Sequence, residues 1–120
     1  MNKEYLVNRI NSFRELKYDW DSYCGSPISN LAIQKALDLI DKIPLNIEPV
    51  FAAPGGDGSI CIEIGTGFKN PFLILDITDN NCDILLSAGY FDHNDIFRET
   101  VFLQIEDVVD FIKQNFGCGM

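Results

Sequence analysis

Hydrophobic positions first recur along the chain at helical spacing. Leu6, Ile10 and Phe13 stand at i, i+4 and i+7, with Leu16 beyond them. Asn8, Arg9, Ser12 and Glu15 fill the other side, so the pattern predicts an amphipathic helix from about Lys3 to Lys17. A second stripe, Ile33, Ala36, Leu37 and Ile40, predicts another helix. Ser29 is its expected N-cap, since a hydroxyl there can accept from a free N–H of the first turn. Ile28 and Ile33 fit a hydrophobic staple around that cap, while Ala32 stands where a capping box requires Glu or Gln. Pro44 is expected to stop the helix.

From Val50 the period changes to two. Val50 to Ala53 reads as a short strand and Pro54 to Gly58 as a glycine-rich turn. Ser59 to Ile64 alternates, with Ile60, Ile62 and Ile64 on one side and Cys61 and Glu63 on the other. Gly65 to Pro71 turns the chain, and Phe72 to Ile77 forms a third strand with Leu73, Leu75 and Ile77 on one face. Asp79 to Asn81 reads as a turn, and Asp83 to Tyr90 as a fourth strand. Phe91 to Glu99 carries no readable period, and Thr100 to Leu103 gives a short fifth strand. A last helix begins near Ile105, with Glu106 and Asp107 at its positive end. Its stripe is Ile105, Val108, Val109, Ile112 and Phe116, and Gly117 is placed to end it. The expected architecture is α+β: two N-terminal helices, a four- to five-stranded antiparallel meander sheet and one C-terminal helix, in a single domain of residues 1–120.

Between the first two helices lies Tyr18-Asp19-Trp20-Asp21-Ser22-Tyr23-Cys24-Gly25-Ser26-Pro27. Its Gly/Pro boundary and three large rings predict an ordered loop. Those rings are expected to pack beneath it and set the angle between the helices, which makes Trp20 and Tyr23, with Ser29, structural residues.

Composition narrows the class. At 47% hydrophobic the chain is too apolar to stay disordered, and its apolar runs are too short to span a bilayer. It opens without a signal-peptide pattern, so a cytoplasmic location is expected. Cys24, Cys61, Cys82 and Cys118 are far apart, with no C-x-x-C pair, so reduced thiols are expected and no metal site or cofactor. Acidic and basic residues balance through Lys42, and the whole net charge of −9 lies beyond it. Such a chain repels phosphate backbones, which argues against direct nucleic-acid binding. It attracts basic protein surfaces, although solubility alone also explains the charge.

Candidate chemistry is sparse. His93 in Asp92-His93-Asn94-Asp95 is the sole histidine, with no nucleophile tied to it, and reads as a polar loop tip. Asp79-Asn80-Asn81-Cys82-Asp83 begins like a calcium loop but has Ile84 and Tyr90 where Gly and Glu are required. Gly55-Gly56-Asp57-Gly58 and Gly65-Thr66-Gly67 lie between strands and lead into no helix, so they are turns rather than phosphate cradles. Glu63 and Asp76 sit inside apolar strands; paired acids can do acid/base work, yet alternation places both on a wet face. That face also carries Cys61, Phe72 and Ile74, more apolar surface than solubility needs.

Trp20-Asp21-Ser22-Tyr23-Cys24-Gly25-Ser26-Pro27-Ile28-Ser29, followed by Ala32, Ala36 and Leu37, resembles a family of short, uncharacterised bacterial and phage proteins. Their pattern is roughly W-D-G-Y-G-x-x-P-x-S, then a helix, a Pro-flanked strand and a D-G-x-I-x-L-E-W hairpin. Asp57-Gly58-Ser59-Ile60-Cys61-Ile62-Glu63 is similar to that hairpin, with Ile64 in place of Trp. Ser22 replaces a Gly and Cys24 is an insertion. The resemblance covers the first sixty to seventy residues and implies the fold of small accessory proteins, often of mobile elements, with no established activity.

Three functions fit these features. The first is an acidic, non-catalytic protein-binding module, such as an inhibitor, an immunity protein or a phage or mobile-element antagonist of a basic protein. Its expected contacts are Glu63, Asp76, Asp79, Asp83, Asp92 and Asp95, with Phe72 and Ile74. The second is a small-ligand binder using the cleft between sheet and helices. The third is a carboxylate- or Cys82-based enzyme, for which no motif speaks. A homodimer through the sheet face is compatible with all three.

Overall fold

The strongest two-residue alternation builds the centre of the molecule. In the computed structural model, which describes residues 2–47, 49–65, 72–92 and 94–115, β2 (Ile60–Gly65) and β3 (Phe72–Asn80) are the inner strands of that centre. Ile60, Ile62 and Ile64 on β2 and Leu73, Leu75 and Ile77 on β3 are fully buried on one face. β1 (Val50–Pro54), β4 (Asp83–Phe91) and β5 (Phe97–Phe102) complete an antiparallel sheet in the order β1-β2-β3-β4-β5. Register pairs Ile62 with Ala52 and Leu75, and Leu75 with Ala88, so apolar side chains line up across strands on the same face.

Three helices cover that face: α1 (Lys3–Ser12), α2 (Asn30–Lys42) and α3 (Ile105–Asn115). α1 lies against β1, α2 against β2 and β3, and α3 against β5, while α2 also touches both other helices. A single core cluster joins buried residues of all three helices and of β1 to β4, with Phe102 of β5 packed against it. The α+β expectation holds, with five strands, two helices before them and one after. Among the described residues no helix is long and apolar enough to cross a membrane.

Several boundaries differ from the pattern. α1 ends at Ser12, and Phe13–Glu15 continues as a 3₁₀ turn instead of an α-helix to Lys17. The Ser12 hydroxyl donates back to the Arg9 carbonyl, competing with the helical ladder just where the chain tightens. Phe13 remains buried. β3 runs through Asp79 and Asn80, and the turn is the pair Asn81-Cys82, both at positive φ (+53° and +72°). That two-residue geometry matches the twist of the strands, and Asp79 Oδ1 holds it by accepting from the Cys82 N–H at 2.9 Å. β5 begins at Phe97, inside the stretch that showed no period. The expected helix-ending residues Phe116 and Gly117 lie outside the described residues.

α2 starts as its sequence predicts. The Ser29 hydroxyl accepts from the Ala32 N–H at 3.2 Å and donates to Asp79 Oδ2 at 2.7 Å. Ile28 and Ile33 are both buried beside the cap. Ile43 N–H reaches the Leu39 carbonyl, and Pro44 follows. The buried stripe centres on Ala32, Ile33, Ala36, Leu39 and Ile40, leaving Leu37 only half-buried.

The loop between α1 and α2 is held by carboxylates more than by rings. Asp19 Oδ1 accepts from Cys24 N–H at 2.8 Å, and Asp21 Oδ1 from the N–H groups of Tyr23 and Gly25 at 2.9 and 2.8 Å. These bonds sustain positive φ at Asp19, Ser22 and Cys24. Of the three aromatics only Trp20 packs on the core, and its indole N–H donates to the Ser26 carbonyl at 2.7 Å. Tyr18 is exposed, and Tyr23, expected to be structural, is 87% exposed and buries no core surface. The loop docks on the β1–β2 turn: Ser26 N–H donates to Gly56 O at 2.9 Å and Ser29 N–H to Gly58 O at 3.0 Å. Gly58 takes φ +86°, and a Cβ there would stand 2.9 Å from the Pro27 carbonyl oxygen.

Trp20 therefore contributes through both its ring and its N–H. Trp20→Ala is expected to cost about 2 kcal/mol, and Trp20→Phe about 1 kcal/mol because the ring contact survives and the hydrogen bond does not. Chemical denaturation of the two variants checks the order; equal stability of both with the parent chain overturns it.

Candidate functional site

All three helices occupy one face of the sheet, and among the described residues nothing packs on the other. Strand alternation populates this open face. β1 supplies Phe51 and Ala53, β2 Cys61 and Glu63, and β3 Ile74, Asp76 and Thr78. β4 supplies Asp83, Leu85, Ser87, Gly89 and Phe91, and β5 Phe97, Glu99 and Val101. Large apolar side chains are left in water here: Phe51 is 58% exposed, Val101 57% and Phe97 48%. Phe97 and Val101 gather with Phe91 at the β5 edge, at the opposite edge of the sheet from Phe51 on β1, so the exposed apolar surface is concentrated at β5.

The charge on the face has one sign. Glu63, Asp76, Asp83 and Glu99 are carboxylates, and among the described residues no strand places a cation beside them. Arg98, the only basic residue in a strand, pairs in register with Tyr90, whose ring meets Phe111 of α3 edge-on at 4.8 Å, so it belongs to the helix-bearing face.

A shallow groove of about 460 Å³ runs across β3, β4 and β5 between Ile74, Asp76, Ser87, Phe97, Glu99 and Val101. Its floor is opened by Gly89. The Phe97 ring lies over that glycine so closely that a Cβ would come within 2.7 Å of it, and the ring also meets Phe91 edge-on at 5.4 Å. Cys61 lies nearby on β2, half-buried. Burial first, and then the negative charges of Asp76 and Glu63, push its thiol up from 9.0 to about 12. At neutral pH it is a neutral thiol and a poor nucleophile.

The expected contact residues separate. Glu63, Asp76 and Ile74 share the open face on neighbouring strands, with Glu63 opposite Ile74 and Cys61 opposite Asp76. Phe72 pairs with Gly65 at the end of β3; its side chain lies outside the description. Asp83 opens β4 at the margin of the face. Asp79 is on the opposite face, where it joins the Ser29 cap to the Asn81-Cys82 turn. Asp92 organises the β4–β5 loop. Its Oδ1 accepts from Asn94 and Ile96 N–H, its Oδ2 from Arg98 Nε at 2.9 Å, and these bonds, led by Ile96 and then Arg98, hold its carboxyl below the usual range. Asp95 sits in that loop at φ +62°, exposed. His93 and Cys118 lie outside the described residues.

Glu99, Phe97, Val101, Phe51 and Leu85 complete the face and were not among the expected contacts. The first three belong to β5. The polar run Asp92-His93-Asn94-Asp95 between Phe91 and Phe97 was the available hairpin signal.

A second concavity, about 640 Å³, lies between α2, the start of β4 and the link into α3. Lys35, Asp38, Asp83, Gln104 and Glu106 border it, and none of them is buried. Among the described residues no group of three or more His, Cys, Asp or Glu is arranged to hold a metal ion, and Cys24, Cys61 and Cys82 are free thiols. Comparison of the chain with protein-family models, curated proteins and solved structures gives no match.

The Cys61 environment has a measurable consequence. Raising the thiol from 9.0 to about 12 cuts its thiolate by roughly a thousandfold, partly offset by the greater nucleophilicity of a more basic sulfur. Cys61 is expected to react roughly thirtyfold more slowly with a disulfide reagent at pH 8 than an unperturbed thiol, and after Cys24 and Cys82. Asp76→Asn should speed it. Because the folded value is the raised one, the stabilisation is complete below pH 9 and is lost as pH climbs toward 12. Site-resolved labelling by mass spectrometry checks the order; Cys61 reacting first contradicts it.

Proposed function

We propose that the chain is a non-catalytic protein-binding module whose open sheet face docks the basic surface of another protein. In the setting implied by its resemblance to accessory proteins of mobile elements, that makes it an inhibitor, immunity protein or antagonist. The observation that carries the reading is the coincidence, on one uncovered face, of exposed aromatic and aliphatic side chains with four carboxylates, while among the described residues no strand places a cation there and Arg9 of α1 reaches only the β1 margin near Glu63. Apolar groups supply the desolvation on which affinity rests, and hot spots favour aromatic anchors. One-sided charge supplies steering and selects a basic partner.

The small-ligand reading has the 640 Å³ concavity as its site, but its polar residues stand in solvent rather than converging on a dry pocket. The enzymatic reading has Glu63 and Asp76, both exposed, and a neutral Cys61 between them, which offers neither a shielded acid/base pair nor a thiolate.

Glu63→Lys, Asp76→Lys and Glu99→Lys together reverse most of the charge on the face. Exposed charges contribute little to folding, so the melting temperature should stay within a few degrees of the parent's. A basic partner recovered from host extract by the parent chain should be lost by the triple variant. Its association rate should fall about tenfold or more at low salt, and the steep salt dependence should flatten. Rates indifferent to salt and to charge reversal assign the acidity to solubility alone and remove the proposal.

A further inference from the structure

The two edges of the sheet are not equivalent. At β1 the bonds from Gly65 N–H to Pro49 O and from Gly55 N–H to Ser59 O, 2.9 and 2.8 Å, set the phase of the ladder. Phe51 and Ala53 then turn their backbone groups toward β2, and Val50, Ala52 and Pro54 turn theirs outward. The Ala52 carbonyl is taken by Arg9 Nε of α1 at 2.6 Å, and Pro54 has no N–H to offer. Arg9 of α1 and Pro54 thus block part of this edge, two usual protections of an edge strand.

β5 is different. Asp92 N–H donates to Ile96 O at 3.0 Å, and Asp95 N–H to Asp92 O at 2.9 Å, with Asp95 in the left-handed region, a three-residue hairpin loop with a bulge. That phase sends the backbone groups of Arg98, Thr100 and Phe102 toward β4 and those of Phe97, Glu99 and Val101 outward. Among the described residues none of these outward N–H and C=O groups has a partner. β5 contains neither Pro nor Lys; its two charged residues are Arg98, held by Asp92, and Glu99, which repels an acidic strand and attracts a basic one. The residues whose backbone faces outward are the same ones whose side chains stand on the open face.

We infer that β5 is the docking edge of the module, and that the partner adds an extended basic segment to it as a sixth strand; the inference rests on the face reading above and names how the partner engages it. A partner that reaches an edge strand gains main-chain hydrogen bonds that the flat face does not offer. β1 is partly blocked by Arg9 and Pro54, and β5 is not. An added strand places alternate side chains beside Phe97, Glu99 and Val101, so the matching segment is apolar, basic, apolar on that side. A second copy of this chain is the poorer occupant, because it brings a further net charge of −9 and a second Glu99 to the seam.

The test uses the isotope-labelled chain and a short synthetic lysine–valine peptide, Val-Thr-Lys-Thr-Val-Thr, which spans the six residues of β5 and puts valine, lysine and valine on one side of an added strand; the glutamate–valine form carries Glu in place of its Lys. A glutamate–valine peptide is the control. Lysine–valine peptide should slow solvent exchange at the amides of Phe97, Glu99 and Val101 and leave Arg98, Thr100 and Phe102, already bonded to β4, unchanged. Val101→Pro removes one outward donor without touching the ladder and should weaken the peptide about tenfold, the equivalent of one well-made hydrogen bond. The control peptide should not bind. If the peptide does not bind, or binds with exchange at the three amides unaltered, the edge inference falls while the face reading keeps its own test by charge reversal. If the three amides become protected on concentrating the chain without peptide, the occupant is a second copy and the inference is overturned. Protection by the lysine–valine peptide that survives Glu63→Lys and Asp76→Lys upholds the edge and counts against the face.

Discussion

Three helices cover one face of a five-stranded sheet, and that one-sidedness governs the remaining structure. The isoleucines and leucines of β2 and β3 commit their side of the sheet to burial, and α1, α2 and α3 supply the cover. A strand buried on one side must present every second residue on the other. The opposite face therefore carries whatever the alternate positions encode, and here those are aromatics, aliphatics and carboxylates. In an ordinary half-exposed sheet such positions are mixed in charge and polar. This departure is what makes the face a candidate site.

A second junction fixes how the N-terminal part meets the sheet. The loop from Tyr18 to Ser29 and the turn at Gly55–Gly58 are separate in sequence and bonded in space, through Ser26 to Gly56 and Ser29 to Gly58. Asp19, Asp21, Trp20 and Gly25 shape the loop, and Gly58 allows the carbonyl of Pro27 to approach. Their residue types answer to backbone geometry, so the two segments form an architectural joint that stands apart from the open face.

Much of this was legible in the sequence because it depends on local chemistry. The Ser29 cap, the stop at Pro44 and the faces of β2 and β3 each follow from residues within a few positions of one another. The placing of Glu63, Asp76 and Ile74 on one face follows from period two alone. What failed depends on a partner distant in sequence for Asp79, and elsewhere on local bonds that residue size and charge do not announce. Asp79 resembles a turn residue until Ser29 is seen to donate to it, and Asp92 resembles a free surface acid until Arg98 is seen beside it. Tyr23 was expected to pack because it is large, whereas the loop is ordered by carboxylates. The second half of β5 was expected, but its start at Phe97 was missed because Arg98 and Glu99 interrupt its apolar signal, so Phe97 and Glu99 were missed as part of the face.

The bond between Ser29 and Asp79 spans fifty residues of chain, and the one between Arg9 and Ala52 spans forty-three. The strands need no such reach, since each pairs with its neighbour in sequence. During synthesis from the N-terminus, α1 and α2 emerge before any strand exists to cover their apolar stripes. The first third of the nascent chain therefore stays amphipathic and unsheltered until the hairpins that follow can close beneath it.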